Sequence, residues 1–247
     1  MMNPPDVIEP YEPLRTRAYV AIGFLAANIV THLIAAVSKF MQIDLLYKVI
    51  EGMTDVTRAQ LLASRTQETV IWLVVLVNFA AAAVVFLIWL YGAYKNLRPL
   101  GANPDTTPGW VVGYFFIPIL NLFRPFQVFQ ELWRESDPET VTPAGVRPMH
   151  AFVAGSSKSL LVVVWWGLWL LSNIVDWIAR RWDSKAQILN DYIIAGWISM
   201  TSDLITILAA IACIIMIKKI TDRQDERARR LAALAAPPEG LPSTQQA

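Results

Sequence analysis

Four separated stretches of this chain are apolar for about twenty residues or more, the length a helix needs to cross a hydrocarbon core of roughly 30 Å. They are residues 18–38 (AYVAIGFLAANIVTHLIAAVS), 70–92 (VIWLVVLVNFAAAAVVFLIWLYG), 159–179 (SLLVVVWWGLWLLSNIVDWIA) and 192–217 (YIIAGWISMTSDLITILAAIACIIMI). The ionisable residues inside these windows are His32, Asp176 and Asp203. No water is available in a bilayer core, so a spanning segment must satisfy its backbone internally, and a helix does so. The expectation is an all-α, polytopic membrane bundle with four transmembrane helices.

A fifth apolar run, residues 109–123 (GWVVGYFFIPILNLF), is too short to span and carries Pro118 near its middle. Proline removes a ladder hydrogen bond and clashes with the preceding turn, so the segment reads as re-entrant or interfacial. Residues 122–135 follow with Leu122, Phe126, Phe129 and Trp133 at helical spacing and Arg124, Gln127, Glu131, Arg134 and Glu135 opposite. That pattern is an amphipathic helix, with Pro125 suited to its first turn. Phe40, Ile43, Tyr47 and Ile50 make another apolar stripe, and Gly52 reads as a helix stop. Residues 54–69 begin with capping-type residues and lead into the second span.

The domain is expected over 15–220. Residues 1–14, acidic and proline-bearing, read as a disordered tail rather than a cleavable leader. The proline-bearing stretch 136–150 reads as a loop. Residues 221–247 read as a helical extension reaching into water and a disordered end. The single cysteine, Cys213, excludes an internal disulfide and a cysteine metal cluster. A net charge of +1 gives no footprint for nucleic acid. Ten Trp and seven Tyr fit rings anchored at a membrane interface.

Lys and Arg in loops set orientation. With four spans and a cytoplasmic N-terminus, Arg15, Arg17, Lys95, Arg98, Arg124, Arg134, Arg147, Lys158 and the six basic residues of 218–230 lie inside. They are two thirds of the 21 basic residues. A five-span arrangement with an external N-terminus divides the charges equally well; the shortness of 109–123 and Pro118 favour four. The expected location is a bacterial inner membrane with both termini cytoplasmic.

The stretch 87–138 carries a distinctive order of residues. Asn96-Leu97-Arg98 is followed by Pro108-Gly109-Trp110, an apolar stretch holding Pro118, then Asn121, Arg124-Pro125 and Glu131-Leu132-Trp133-Arg134. This resembles the bacterial membrane domain-of-unknown-function family 4328. Within the motif the marked positions are Trp110, Pro118, Asn121, Pro125 and Trp133. The resemblance implies a multi-span membrane protein; it carries no activity and therefore no functional residues.

Asp203 stands out chemically, because an ionisable residue near the centre of a span is costly and normally has a partner. His32, whose residue type titrates near neutrality, is the candidate partner. With Asn78 and Asn173 these make an expected intramembrane polar cluster, read either as a proton or cation site or as hydrogen-bonded packing glue. A lone histidine is a poor metal site; no metal and no cofactor are expected. Arg124, Glu131 and Arg134 form a second candidate, a helix face for lipid phosphate or a partner protein, against the plainer reading of a solvated face with a Glu131–Arg134 pair. The Trp165, Trp166 and Trp169 cluster reads as packing rather than a cation cage. No nucleotide, hydrolase or metalloprotease motif is present, so an enzyme is not expected. Two functions follow as expectations: a membrane interaction or scaffold module, contacting the bilayer and another membrane protein or a second copy of itself, and a small proton- or ion-coupled transporter.

Overall fold

The computed structural model describes residues 10–53, 56–141 and 159–235. Residues 1–9, 54–55, 142–158, with His150, and 236–247 lie outside the described residues. Helix α1 runs Arg15–Ile50, α2 Arg58–Lys95, α3 Pro108–Gly113, α4 Arg124–Glu135, α5 Leu160–Asp183 and α6 Leu189–Ala235. Short 3-10 turns occupy Tyr114–Phe116, Leu120–Leu122 and Pro138–Thr140, and no strand occurs among the described residues. Helices α1, α2, α5 and α6 are each long and apolar enough to cross a membrane.

Local chemistry sets the helix ends. The stripe Phe40–Ile50 continues α1 without a break. The helix then stops where Gly52 takes φ +74° and the Met53 and Gly52 amides return to the Lys48 and Val49 carbonyls at 3.1 and 3.2 Å. That is the glycine-terminated cap in which a left-handed residue spares the Cβ penalty. Helix α2 opens on a reciprocal capping box. The Thr57 Oγ1 accepts from the Gln60 amide at 3.3 Å, and the Gln60 Oε1 accepts from the Thr57 amide at 2.7 Å.

The four long helices alternate in direction. α6 packs along both α1 and α5, and α2 packs on the outer side of α1. Ala21, Asn28, Ala36 and Ile43 are the buried side of α1, recurring every seven or eight residues. Small residues of α6, including Ala195, Gly196, Ala209 and Ala210, are buried too. Such small-residue seams let helix backbones approach where lipid removes any hydrophobic drive between helices. At Gly196 an added Cβ would stand 2.9 Å from the Ile43 Cγ1. Gly196→Leu is therefore expected to cost about 1–3 kcal/mol, the range for overpacking a tight contact, with Ile43→Ala restoring part of it. Tryptophan-detected unfolding in detergent measures both; no rescue by the second change would show that this crossing does not set the spacing.

The densest packing lies at one end of the bundle. There the C-terminal end of α2 (Trp89, Leu90, Ala93, Tyr94), α4 (Val128, Phe129, Leu132), Val162 and Trp165 of α5, and Met216, Ile217 and Ile220 of α6 form one buried cluster. Phe86 stacks on Phe129 at 5.8 Å, and Phe129 meets Trp165 edge-on at 4.8 Å. The outward faces of the long helices carry exposed apolar side chains, among them Val37, Val77, Ile174 and Leu208. A belt of that kind would be an aggregating patch in water and is natural against lipid.

Three expectations are corrected here. Residues 10–14 are not part of a loose tail: Leu14 is buried, and the Tyr11 hydroxyl donates to Asp225 Oδ1 at 2.5 Å. Burial and this hydrogen bond push the Tyr11 hydroxyl well above its ordinary titration range. The extension beyond residue 220 does not run into open water, because Thr221, Gln224 and Arg227 are buried against neighbouring elements. The buried side of α4 is Pro125, Val128, Phe129 and Leu132, with Phe126 and Trp133 at its margin and Leu122 exposed. Packing between the α2 end and α5 rotates the inner face away from the stripe expected from spacing alone. The stretch 109–123 is broken into α3 and two 3-10 turns, the break falling at Pro118. Phe116 and Ile119 at its tip are exposed, and it holds no helix long enough to cross a membrane.

Candidate functional site

His32 and Asp203 meet. Helix α1 carries the histidine and α6 the aspartate, and His32 Nδ1 lies 2.8 Å from Asp203 Oδ1. Both side chains are mostly enclosed, at 13% and 16% exposure. With an ionised carboxylate, Nδ1–H is the donor. The nearby hydroxyls do not serve Asp203. Thr201 donates to the Trp197 carbonyl, Thr206 to the Ser202 carbonyl, and Ser202 crosses to the Ser172 carbonyl of α5 at 3.0 Å.

The asparagines of the expected cluster make no hydrogen bond to the pair, although Asn173 lines the same cavity. Asn173 donates back to the Trp169 carbonyl of its own helix at 2.7 Å. The Asn78 Nδ2 is buried without a hydrogen-bond partner. Position along a helix does not fix which way a side chain faces.

The pair lines a cavity of about 700 Å³. Its walls come from all four long helices and the 109–123 hairpin. At the α4 end it is closed by aromatic rings, Phe86, Phe115, Trp165, Trp166 and Trp169, with Trp166 stacked on Trp169 at 4.6 Å. The indole of Trp166 is held by the Leu122 carbonyl at 3.2 Å. The tryptophan cluster is thus a packed wall. Towards the opposite end the lining turns charged: Lys39 pairs with Glu68, and Asp176 with Arg180. The Gln42 amide also donates to Glu68 at 2.8 Å. A second cavity of about 440 Å³ adjoins there and adds Arg65, Asp183 and Tyr192. The residues at this end were missed as a group because they sit at the edges of the apolar windows. Their signal was the coincidence of those edges: Lys39 just after the first, Glu68 just before the second, and Asp176 and Arg180 around the end of the third.

The second candidate face comes apart. Glu131 turns inward and accepts from the Tyr94 hydroxyl at 2.7 Å and the Asp105 amide at 2.8 Å. The expected Glu131–Arg134 pair does not form; Arg134 Nε instead donates to Glu135 at 3.0 Å. Arg124 donates to Gln127 at 3.0 Å and lies over the Tyr114 ring at 5.2 Å. Arg124 and Arg134 remain exposed.

The motif residues build the dense end rather than the cavity mouth. Asn96 grips the Glu12 backbone through both its amide atoms, at 3.1 and 2.7 Å. Trp133 carries Arg223 at 4.6 Å over its ring, and Arg223 pairs with Asp137 at 2.8 Å. Pro125 is buried, Trp110 and Pro118 are exposed, and the Asn121 Oδ1 is a buried acceptor without a donor. Among the described residues no cluster of His, Cys, Asp and Glu could hold a metal.

These features define an all-α membrane-spanning domain: four long helices around a laterally placed cavity, closed at one end by a short helical hairpin. The chain belongs to the family described as "Domain of unknown function (DUF4328)", which matches residues 52–222. No curated protein and no solved structure matches it.

Proposed function

We propose that this protein is a small transporter of the bacterial cytoplasmic membrane, with His32 and Asp203 as its protonatable site. The observation that carries the reading is the 2.8 Å contact between these two side chains on the wall of the cavity. Ionisable groups are retained within spans mainly where they have a partner and work to do, such as a proton relay. A histidine–carboxylate pair can exchange one proton with a small change in geometry. The proposed orientation puts both termini in the cytoplasm, following the basic residues at the α4 end. A C-terminal fluorescent-protein fusion that fails to fluoresce, while an alkaline phosphatase fusion is active, would reverse it.

The test is proton movement in proteoliposomes holding a pH-sensitive dye, driven by an imposed potential. Wild-type protein is expected to carry protons and His32→Gln to lose most of that flux. Wild-type vesicles no leakier than empty ones, at either polarity, would overturn the reading.

The interaction-module reading keeps one favouring observation. Arg124 and Arg134 are exposed on a helix whose opposite side is anchored. If α4 is a contact surface, Arg124→Ala/Arg134→Ala releases a co-purifying membrane partner or anionic lipid at unchanged stability. An unchanged set of co-purifying molecules counts against it.

A further inference from the structure

The cavity is built for something longer than a proton. Its His32–Asp203 wall lies between two chemically different ends. One is aromatic and aliphatic, with Leu25, Phe79, Phe86 and Trp169; the other holds Lys39, Glu68, Asp176 and Arg180. The charged lining of the adjoining cavity is balanced, with Lys39, Arg65 and Arg180 against Glu68, Asp176 and Asp183. α2 and α5 form opposite walls and do not pack along their lengths; they approach through Phe86 and Trp165, 6.2 Å apart. The gap between them therefore faces the lipid side of the bundle.

Two unmet polar atoms point to an occupant. Asn28 lines the cavity at 4% exposure, and its Nδ2 has no acceptor. It sits one helical turn from His32. The Asn121 Oδ1, also on the lining, has no donor. A buried amide left dry costs free energy, and the missing acceptor is one that an ester or hydroxyl oxygen inside the cavity would supply.

We infer that the cavity binds one zwitterionic, single-chain amphiphile that enters from the bilayer between α2 and α5. Its head lies among Lys39, Glu68, Asp176 and Arg180, an oxygen of its linker accepts from Asn28, and its chain lies along the aromatic end. The volume of about 700 Å³ falls within the roughly 300–1,000 Å³ of small-molecule sites and suits one chain. This inference rests on the reading of the cavity as the working site and names its cargo.

The experiment is native mass spectrometry of the full chain, titrated with lysophosphatidylethanolamine. Lysophosphatidylglycerol of the same chain length supplies an anionic head, and monoacylglycerol an uncharged one. One saturable equivalent of the zwitterion is expected, bound about tenfold more tightly than either competitor. Ala83→Trp, which fills the cavity from α2, is expected to abolish it. Asn28→Leu is expected to weaken it about tenfold without lowering the unfolding temperature. Equal binding of all three amphiphiles, Asn28→Leu binding as wild type, or a second copy of the chain as the occupant displaced by Ala83→Trp would each overturn the inference. Proton flux without lipid binding would sink the cargo and leave the transporter reading standing. Lipid binding without flux would do the reverse.

Discussion

Arg227→Ala is expected to be the most destabilising single change in the chain outside the membrane-spanning windows. Arg227 projects from the last turns of α6 and is 4% exposed. Its Nε donates to the Leu100 carbonyl at 2.8 Å, and its Nη1 to the Asp137 carbonyl at 2.8 Å and to the Thr140 hydroxyl. One guanidinium therefore ties together the turn after α2, the turn after α4 and the C-terminal helix. Hydrogen bonds from a charged donor contribute about 1.5–3 kcal/mol each, and carbonyls left dry add their own cost. The expected loss is about 3–5 kcal/mol. Unfolding in detergent reads it, and limited proteolysis should show early cuts at residues 97–107 and 136–141. Lysine keeps the charge but not the planar fork, so Arg227→Lys should recover less than half.

Arg230 is the internal control. It sits three residues on, pairs with Glu226 at 2.9 Å and Glu139 at 2.9 Å and donates to the Pro138 carbonyl at 3.2 Å, but it is half-exposed, where ion pairs are worth little. Arg230→Ala should leave residues 97–107 uncut and affect 136–141 less than Arg227→Ala does. If the two alanine variants behave alike, the clasp has been misjudged and α6 holds the end by apolar packing alone.

The same residues show why the sequence exposed one part of the fold and hid another. Apolar runs reported the spans because hydrocarbon tolerates little else, and Pro118 reported the broken hairpin because proline acts locally. The stretch after Ile217 mixes Lys218, Lys219, Arg223, Arg227, Arg229 and Arg230 with acids, which is also what an anchor at a membrane boundary looks like. Which arginine turns inward depends on carbonyls more than 85 residues away in sequence, and no local pattern carries that. The candidate site divides in the same way. The costs of burying Asp203 and His32 singled them out, whereas Asn78 and Asn173 joined the expected cluster only as polar residues within spans. Rotation about the helix axis keeps Asn78 off the cavity and leaves Asn173 on its lining, bonded to its own helix. Glu131 misled for a related reason: a carboxylate on the polar side of an amphipathic helix reads as solvated until Tyr94 arrives from another helix to donate to it.

Asp203→Asn and Asp203→Leu should part company, and that divergence distinguishes a working pair from packing glue. Asparagine keeps an oxygen that accepts from His32 Nδ1 but cannot take up or release a proton at that position. Interhelical polar bonds in membranes average only about 0.6 kcal/mol, so Asp203→Asn should unfold within about 1 kcal/mol of wild type. Leucine leaves His32 facing an apolar group in an enclosed site, at a cost of about 1–3 kcal/mol for the orphaned donor. If the pair carries protons, flux in proteoliposomes should fall in both variants by about a hundredfold or more, the scale on which a positioned proton-transfer group contributes. Flux would then follow the loss of the carboxylate and not the loss of stability. A purely structural contact predicts the other ordering: Asp203→Asn retains its flux, and only Asp203→Leu falls, together with its fold. Reversing the pair by His32→Asp/Asp203→His adds a further arm, since the contact joins two helices that pack along each other. Recovery of flux in the swapped protein would assign the proton to the pair itself rather than to either helix's surroundings.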